Sequence, residues 1–336
     1  MSDNLVSSAA RRRKGFSQHE VCYHRLTSMN LARSVPSIRV AFSRTALLTV
    51  LLSVASPART SSGPSGLDPA DLVRKAVQNE IKASNSPSER FMFRGTKTTP
   101  KGSSTKIYVE TSEATAGMVV AYDGKTLTPQ QRRDEDGRVE RFLKYPEELR
   151  KKRTQEREDA ERTLRIIRAL PDAFLYEYAG EETGSREIGH AGDPLVKLRF
   201  RPNPSYRPPS HVEEVLTGMH GDLLLDAVRY RIASIDGTLF REVGFGWGFL
   251  GHLDRGGHFL VHQEAVEDNT WEISSMGLKF TGRVLLVKAI TIESTEVFSG
   301  FKRVSPDLTF AQGLEMLEKE GAEMANGSLA TPGERK

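Results

Sequence analysis

Apolar residues recur along the chain at two different periods, and the change of period separates helical from extended segments. After Asp68 and Pro69, which are typical of a helix N-cap and its first turn, apolar residues follow at helical spacing as far as Ile81. This pattern predicts a helix over the residues that follow Asp68. Asn85-Ser86-Pro87 then predicts its end.

Period-two alternation predicts two series of strands. The first series consists of Phe91–Thr98, Lys106–Thr111 and Gly117–Tyr122. The second consists of Val196–Phe200, Asp222–Leu225, Arg229–Ile235, Leu239–Phe245, His258–Val266, Trp271–Phe280 and Val284–Ile292. Turns are predicted at Asp123-Gly124, Asp236-Gly237, Gly256-Gly257, Asp268-Asn269 and Gly282. Strands that follow one another through short turns, without helices between them, indicate an antiparallel sheet.

A charged helical insertion, residues 129–170, separates the two series of strands. Thr128 and Gln131 form a capping box around Pro129, and Gly137 and Pro146 are predicted to divide the insertion into two helices. Interleaved acids and bases indicate a solvated face rather than a phosphate-binding patch. A closing helix with Phe310, Leu314 and Leu317 is predicted to begin at Ser305-Pro306.

Together these elements predict an α+β fold with a large, curved antiparallel sheet, a half-open β-barrel, covered by helices and carrying an inserted charged helical pair. We expect a leader at residues 1–58, a linker at 59–67, a single domain at 68–320 and a disordered tail at 321–336. The strand around Val284–Val287 is apolar on both faces, which predicts a barrel-like interior on one side and a covering helix on the other.

The leader has the pattern of a secretory signal peptide. An uncharged apolar run, Thr45–Ala55, follows three arginines and is too short to span a membrane. Small residues predict cleavage after Ala55 or Ala58, which gives a periplasmic or secreted protein without a permanent membrane anchor. Because the run begins late, residues 1–28 are either an over-extended start, with Met29 as the initiator, or a long n-region.

Charge and cysteine content exclude two classes of protein. The net charge is +4, but residues 1–58 contain eight of the 48 basic and two of the 44 acidic side chains, so the remainder is slightly acidic. The composition therefore does not indicate a nucleic-acid-binding protein. The only cysteine, Cys22, precedes the apolar run, so neither a disulfide framework nor a lipid anchor on a following cysteine is expected.

Aromatic and sulfur side chains supply the candidates for a ligand cavity. Phe245, Trp247 and Phe249 are spaced two apart, so an extended chain would direct all three to one face. This pattern leaves two alternatives open, ordinary core and the lining of a cavity. The full set of cavity candidates is Phe245, Trp247, Phe249, Trp271, Met276 and Phe280.

Motifs for catalysis, nucleotides or metals are weak. Gly246–Gly251 matches the dinucleotide fingerprint in letters, but the following residues do not predict the required helix, and a bulge or corner of the sheet is expected instead. His258 and His262 would lie about 13 Å apart along a strand, too far to share one ion, although a fold-back at Gly256-Gly257 could bring His252 near His258. His252, Asp254, His258 and His262 are the residues of this chain segment that could ligate a metal. We expect no metal, no cofactor and no enzymatic activity.

The sequence resembles the periplasmic lipoprotein-carrier superfamily, the half-open β-barrels of outer-membrane lipoprotein sorting. The resemblance rests on the leader, on the strand and turn at Gly117–Gly124 and on the meander Gly221–Phe298. Ile235–Leu239, Val243–Gly248 and Gly256–Phe259 are similar to a family of secreted bacterial proteins of unassigned function with the same expected fold. The resemblance covers about residues 68–310 and implies an apolar cavity between a curved sheet and its helices, able to hold acyl chains.

These observations give one leading hypothesis and two alternatives. The first is a non-enzymatic periplasmic or secreted protein that binds a lipid, an acylated protein or another apolar ligand. The second is a cell-envelope interaction or sensor module whose charged insertion binds a protein partner. The third, metal-dependent hydrolysis around His252–His262, has the least support from the sequence.

Overall fold

The computed structural model describes residues 66, 68–84, 89–245, 251–267, 270–284 and 288–326, all within the compact unit Arg59–Lys336. The described helices are α1 (Pro69–Ser84), α2 (Pro129–Lys144), α3 (Pro146–Ala173) and α4 (Phe310–Asn326). The described strands are β1 (Arg90–Thr99), β2 (Gly102–Glu110), β3 (Thr115–Tyr122), β4 (Lys125–Thr126), β5 (Phe174–Thr183), β6 (Pro194–Pro202), β7 (Met219–Asp226), β8 (Arg231–Leu239), β9 (Val243–Phe245), β10 (Gly251–Leu253), β11 (His258–Glu267), β12 (Thr270–Val284) and β13 (Lys288–Val304).

All named strands belong to one 13-stranded sheet. Its order is β4-β3-β2-β1-β13-β12-β11-β8-β7-β6-β5, and β9 and β10 extend it beside β12. Neighbouring strands are antiparallel, and β4 and β5 remain as edges, so the sheet is open. The predicted α+β class with a large open antiparallel sheet is confirmed. The pairing of β1 with β13 places the first and the last described strands side by side near the centre of the sheet.

Two hydrophobic clusters lie on opposite faces of this sheet. The first cluster is formed by α1, the last turns of α3 and alternate residues of β6, β7 and β8, among them Leu198, Leu223 and Ile232. We call the face that carries it the inner face. The second cluster is formed by α2, α4 and alternate residues of β2 and β3, such as Ile107 and Met118, and it lies on the outer face.

Helix α3 connects the two clusters. Near its start, Leu149 packs against the second cluster, and near its end Leu170 belongs to the first. Its 28 residues give a length of about 42 Å. The predicted insertion therefore has a structural role, because it ties together the helices of two opposite sheet faces.

Charged residues of α2 also make specific contacts with the sheet. A Glu135 carboxylate oxygen accepts a hydrogen bond from the backbone N–H of Val119 at 2.6 Å, and Arg138 donates to the Gly117 carbonyl and to Glu135 at 2.7 Å each. Burial opposes ionisation of Glu135, but the hydrogen bonds and charge of Arg138 lower its pKa. This part of the insertion is docked by an ion pair rather than solvated.

Several local predictions are confirmed. The Asp68 carboxylate accepts a hydrogen bond from the Ala70 backbone N–H at 2.9 Å, as an N-cap does. Thr128 and Gln131 form both bonds of the predicted capping box. Asp123-Gly124 forms the turn between β3 and β4.

Two predicted turns are wrong, because their glycines lie inside strands. Asp236-Gly237 is part of β8, where Gly237 pairs with Gly221 and a Cβ would lie 2.5 Å from the Met219 side chain. Gly282 is part of β12, where a Cβ would lie 2.2 Å from the His252 carbonyl oxygen of β10. Close approach of a neighbouring group explains both glycines, and neither marks a reversal of the chain.

Helix boundaries required four further corrections. Helix α2 continues through Gly137, so only Pro146 divides the insertion, which ends at Ala173 rather than at residue 170. The closing helix begins at Phe310 rather than at Ser305, and it extends to Asn326, so a tail from residue 321 begins too early.

Several predictions concern residues outside the described part of the chain. These are the leader and its cleavage sites, the linker except for Gly66, the Asp268-Asn269 turn, the segment 285–287 and residues 327–336. Among the described helices, none combines the length and the apolar character needed to cross a membrane.

Candidate ligand-binding surface

A band of apolar side chains crosses the inner face at the centre of the sheet. We call it the apolar strip and define it as Phe93, Tyr108, Phe259, Val261, Met276, Leu278, Phe280, Ile290, Ile292 and Phe298. The strand registers place these residues on one face: Phe93 pairs with Tyr108, Met276 with Val261 and Leu278 with Phe259. The strip begins at the first core cluster, against which Phe259 and Phe280 pack.

Aromatic rings form the end of the strip that is farthest from this core cluster. The Phe93 ring lies 5.2 Å from Tyr108, 5.9 Å from Phe298 and 5.2 Å from Phe301, measured between ring centroids. Such distances are typical of interacting aromatic pairs. The cluster joins the consecutive strands β1 and β2 to β13, which is far from both in the sequence.

The strip differs from the two core clusters in its exposure. Every strip residue is half-buried, whereas the buried members of the two core clusters are at most 7% exposed. Along β13, half-buried Ile292 and Phe298 alternate with exposed residues of the outer face, such as Thr291 and Val297. The strip is therefore a large apolar surface that the described helices leave partly open to solvent.

Charged groups interrupt and border the strip. On the inner face of β13, Glu296 lies between Ile292 and Phe298 and pairs with Lys97 at 2.7 Å, and its side chain is 13% exposed. At the border, Glu110 lies two residues after Tyr108, and Glu272 lies four residues before Met276. Burial, reinforced by the Glu110 charge and opposed by Arg231, raises the pKa of Glu272 to about 8. Burial also raises the pKa of Glu110.

The structure brings together only part of the set predicted from the sequence. Met276 and Phe280 lie on the strip, and Phe245 is a half-buried residue at the end of β9 that packs against the first core cluster. Trp271 is 6% exposed and belongs to a separate small cluster with Leu195 and two other buried residues. Trp247 and Phe249 lie outside the described residues.

Sequence patterns missed most of the strip. Phe93, Tyr108 and Phe298 lie on strands that were predicted or implied by alternation, but their proximity depends on the pairing of β1 with β13. A usable signal was the alternation of Ile290 and Ile292 with polar residues, which marks one face of β13, but Ser294 and Glu296 interrupt the pattern before Phe298.

His258 and His262 are separated along β11, as the sequence predicts. The structure places Glu242, which the sequence did not indicate, near His252. His258 contacts Asp236 at 2.8 Å, and His262 contacts Ser275 at 3.1 Å, so these two histidines have different partners. Ligand-capable atoms of Glu242, His252 and Asp254 lie within 4.8 Å of one another. This group is only partly buried, and nothing else in the described part of the chain points to an ion there.

The serine–histidine contact does not form a catalytic triad. Ser275 and His262 are cross-strand neighbours on the outer face, and burial lowers the pKa of His262. The nearby Asp236 carboxylate is bonded to His258 instead, so no described carboxylate is hydrogen-bonded to His262 to orient its ring. The candidate fingerprint at Gly246–Gly251 leads into strand β10 rather than a helix, so the described residues offer no helix N-terminus for a pyrophosphate.

No known protein-family model matches the sequence, and no curated protein sequence matches it significantly. Among solved structures, the chain is similar to a domain from Vibrio parahaemolyticus that is proposed to sort outer-membrane lipoproteins, with 8% identity, a TM-score of 0.25 and coverage of 73% of this chain and 99% of that one. It is also similar to a DUF1329 family protein from Desulfovibrio piger, with 9% identity, a TM-score of 0.26 and coverage of 75% and 100%. The first neighbour bears the name of the class that the sequence resembles. At these TM-scores neither similarity bears on a ligand or partner of this chain.

Proposed function

We propose that the mature protein is an exported, non-enzymatic binding protein that holds an apolar ligand, such as a lipid or the acyl chains of a lipoprotein, on the apolar strip. The proposal rests on the partial exposure of the strip. Helices cover the inner face at one end of the sheet and the outer face at the other end, yet ten large apolar side chains on the inner face are only half-buried. Contiguous apolar surfaces of this kind mark binding sites.

The chemistry of the strip favours an unbranched or flexible apolar ligand. Its residues offer aromatic rings and aliphatic branches, and the one carboxylate between Ile292 and Phe298 on this face of β13, Glu296, is paired with Lys97. Each methylene that leaves water for such a surface gains about 0.8 kcal/mol, so an acyl chain of about ten methylenes gains up to about 8 kcal/mol before the cost of association. Weak reversible binding without covalent chemistry is then sufficient for a carrier or sensor.

Two neighbouring residues of β13 allow a matched test. Phe298 points to the strip and Val297, which is 50% exposed, points to the opposite face. The probe is dansyl-aminoundecanoic acid, whose fluorescence rises in apolar surroundings. We expect Phe298→Gln to weaken probe binding at least tenfold, because the aromatic contact is worth about 2 kcal/mol, and Val297→Gln to change it less than twofold.

Far-UV circular dichroism and urea unfolding show whether each variant is folded. A folded Phe298→Gln variant that binds the probe like the wild type contradicts the proposal. Equal losses in both variants contradict it as well, because they place the binding surface elsewhere or attribute the loss to general destabilisation.

A further inference from the structure

A depression of about 710 Å³ lies at one end of strands β6, β7 and β8. It is lined by the last two residues of β6, by the loop that follows them and by Thr217, His220, Phe240 and Arg241. Because Met219 belongs to the first core cluster on the inner face, the neighbouring His220 on β7 points to the outer face. Another lining residue, Tyr206, packs against the first core cluster, so the depression lies at the ends of these strands rather than wholly on one face. It is separate from the apolar strip, because none of its lining residues belongs to the strip, which lies on β1, β2 and β11 to β13.

Three arginines, Arg201, Arg207 and Arg241, line this depression, and the described lining residues include no carboxylate. Within the part of the chain that the structure describes, none of the three forms an ion pair. One guanidinium nitrogen of Arg241 donates to the Thr217 carbonyl oxygen at 2.9 Å and to its hydroxyl at 3.1 Å, and one of Arg207 donates to the Pro204 and Tyr206 carbonyl oxygens at 2.9 and 3.1 Å. The other N–H groups can bind an anion, and planar guanidinium groups match phosphate oxygens in geometry.

The remainder of the lining is mostly apolar. Phe240 is 38% exposed, and its ring lies 5.6 Å from the His220 ring and 5.9 Å from the Arg241 guanidinium. The loop contributes Tyr206 and two prolines, and the last residue of β6 is a third proline. An exposed aromatic ring and several prolines beside arginines without an ion pair offer a complementary surface to a molecule with one apolar part and one anionic end.

We propose that this depression binds an anionic amphiphile, in which the apolar part contacts Phe240 and the loop prolines and a phosphate end contacts Arg201, Arg207 and Arg241. The site is independent of the apolar strip, because the two share no residue and lie on different strands. Its occupation does not require that the strip binds any ligand.

Titration calorimetry with the full chain tests this proposal. The probe is monododecyl phosphate below its micelle concentration, compared with inorganic phosphate and with the uncharged dodecyl maltoside. All titrations use the Phe298→Gln background, which reduces the contribution of the strip, and dodecyl maltoside reports any apolar binding that remains there. We expect binding of dodecyl phosphate, at least tenfold weaker binding of inorganic phosphate and no binding of dodecyl maltoside.

Variants of exposed arginines locate the site. We expect Arg201→Gln and Arg207→Gln each to weaken dodecyl phosphate binding at least fivefold, and Arg283→Gln, an exposed arginine on β12 outside the depression, to leave it within twofold. Folding is checked by circular dichroism. Unchanged binding in both folded variants, or equal binding of inorganic and dodecyl phosphate, overturns the proposal. Loss of binding in Arg283→Gln to the same extent overturns it too, because it indicates general charge attraction.

Discussion

Replacing Glu272 by Gln should stabilise the protein at alkaline pH and have little effect at acidic pH. The Glu272 carboxyl group lies in a buried environment near Glu110, and no described side chain donates a hydrogen bond to it. Folding therefore favours its protonated form, and its pKa in the folded protein is about 8 rather than 4.5. Glutamine resembles the protonated carboxyl group in size and charge, so it removes the cost of burying a carboxylate.

The sign and size of this effect follow from the difference between the two pKa values. A group whose pKa is raised on folding costs nothing below pH 4.5, where it is protonated in both states, and its cost grows as the pH rises to about 8. At about 1.4 kcal/mol for each pKa unit, the upper bound is about 5 kcal/mol. Because Glu272 is only half-buried by surface exposure and Arg231 is near, we expect about 2 kcal/mol.

Urea unfolding of wild type and Glu272→Gln at several pH values measures this difference directly. The control is Glu181→Gln, which changes an exposed carboxylate on β5. We expect the stabilisation by Glu272→Gln to be near zero at pH 4, to increase through neutral pH and to reach a plateau above pH 8, with no such trend in the control. A difference that is constant with pH, or that is largest at acidic pH, refutes the reasoning.

Three other predictions concern a buried ion pair, the absence of a bound metal and the cleavage of the leader. Arg231→Ala should lower the free energy of unfolding by about 3 kcal/mol in urea titrations, because it leaves Glu80 buried without its partner at 2.9 Å, and a loss below about 1 kcal/mol would show that the pair is solvated. Elemental analysis of protein purified without a histidine tag should find no stoichiometric zinc; one metal per chain that is lost in His252→Ala would contradict this. Edman sequencing of the exported protein should find an N-terminus near Ser56 or Arg59, and retention of the leader would disprove cleavage.

Local patterns in the sequence were sufficient to predict the class of the fold. The cap at Asp68, the capping box at Thr128 and the alternation along β6 depend on neighbouring residues, and the structure confirms each of them. The prediction of a turn at Asp236-Gly237 was wrong because glycine occurs both in turns and at positions where neighbouring strands approach closely, and the sequence does not separate the two uses. Only the strand register distinguishes the two cases.

The candidate binding surface was less accessible to sequence reasoning. Met276 and Phe280 were identified because they lie on one predicted strand, but Phe93 and Phe298 meet only through the pairing of β1 with β13. No pattern within a single segment encodes that pairing. Similarly, the composition of the insertion indicated a solvated helix, whereas Glu135 and Arg138 dock it on β3 through bonds that depend on tertiary structure.

Native mass spectrometry of the mature protein, purified from its own host without detergent, tests the central claim most directly. If the apolar strip holds a lipid or acyl chain, part of the protein should carry a non-covalent adduct of lipid mass, and this adduct should be lost in Phe298→Gln and kept in Val297→Gln. A wild-type spectrum that shows only the bare chain, a protein partner without lipid or a bound metal would contradict the account.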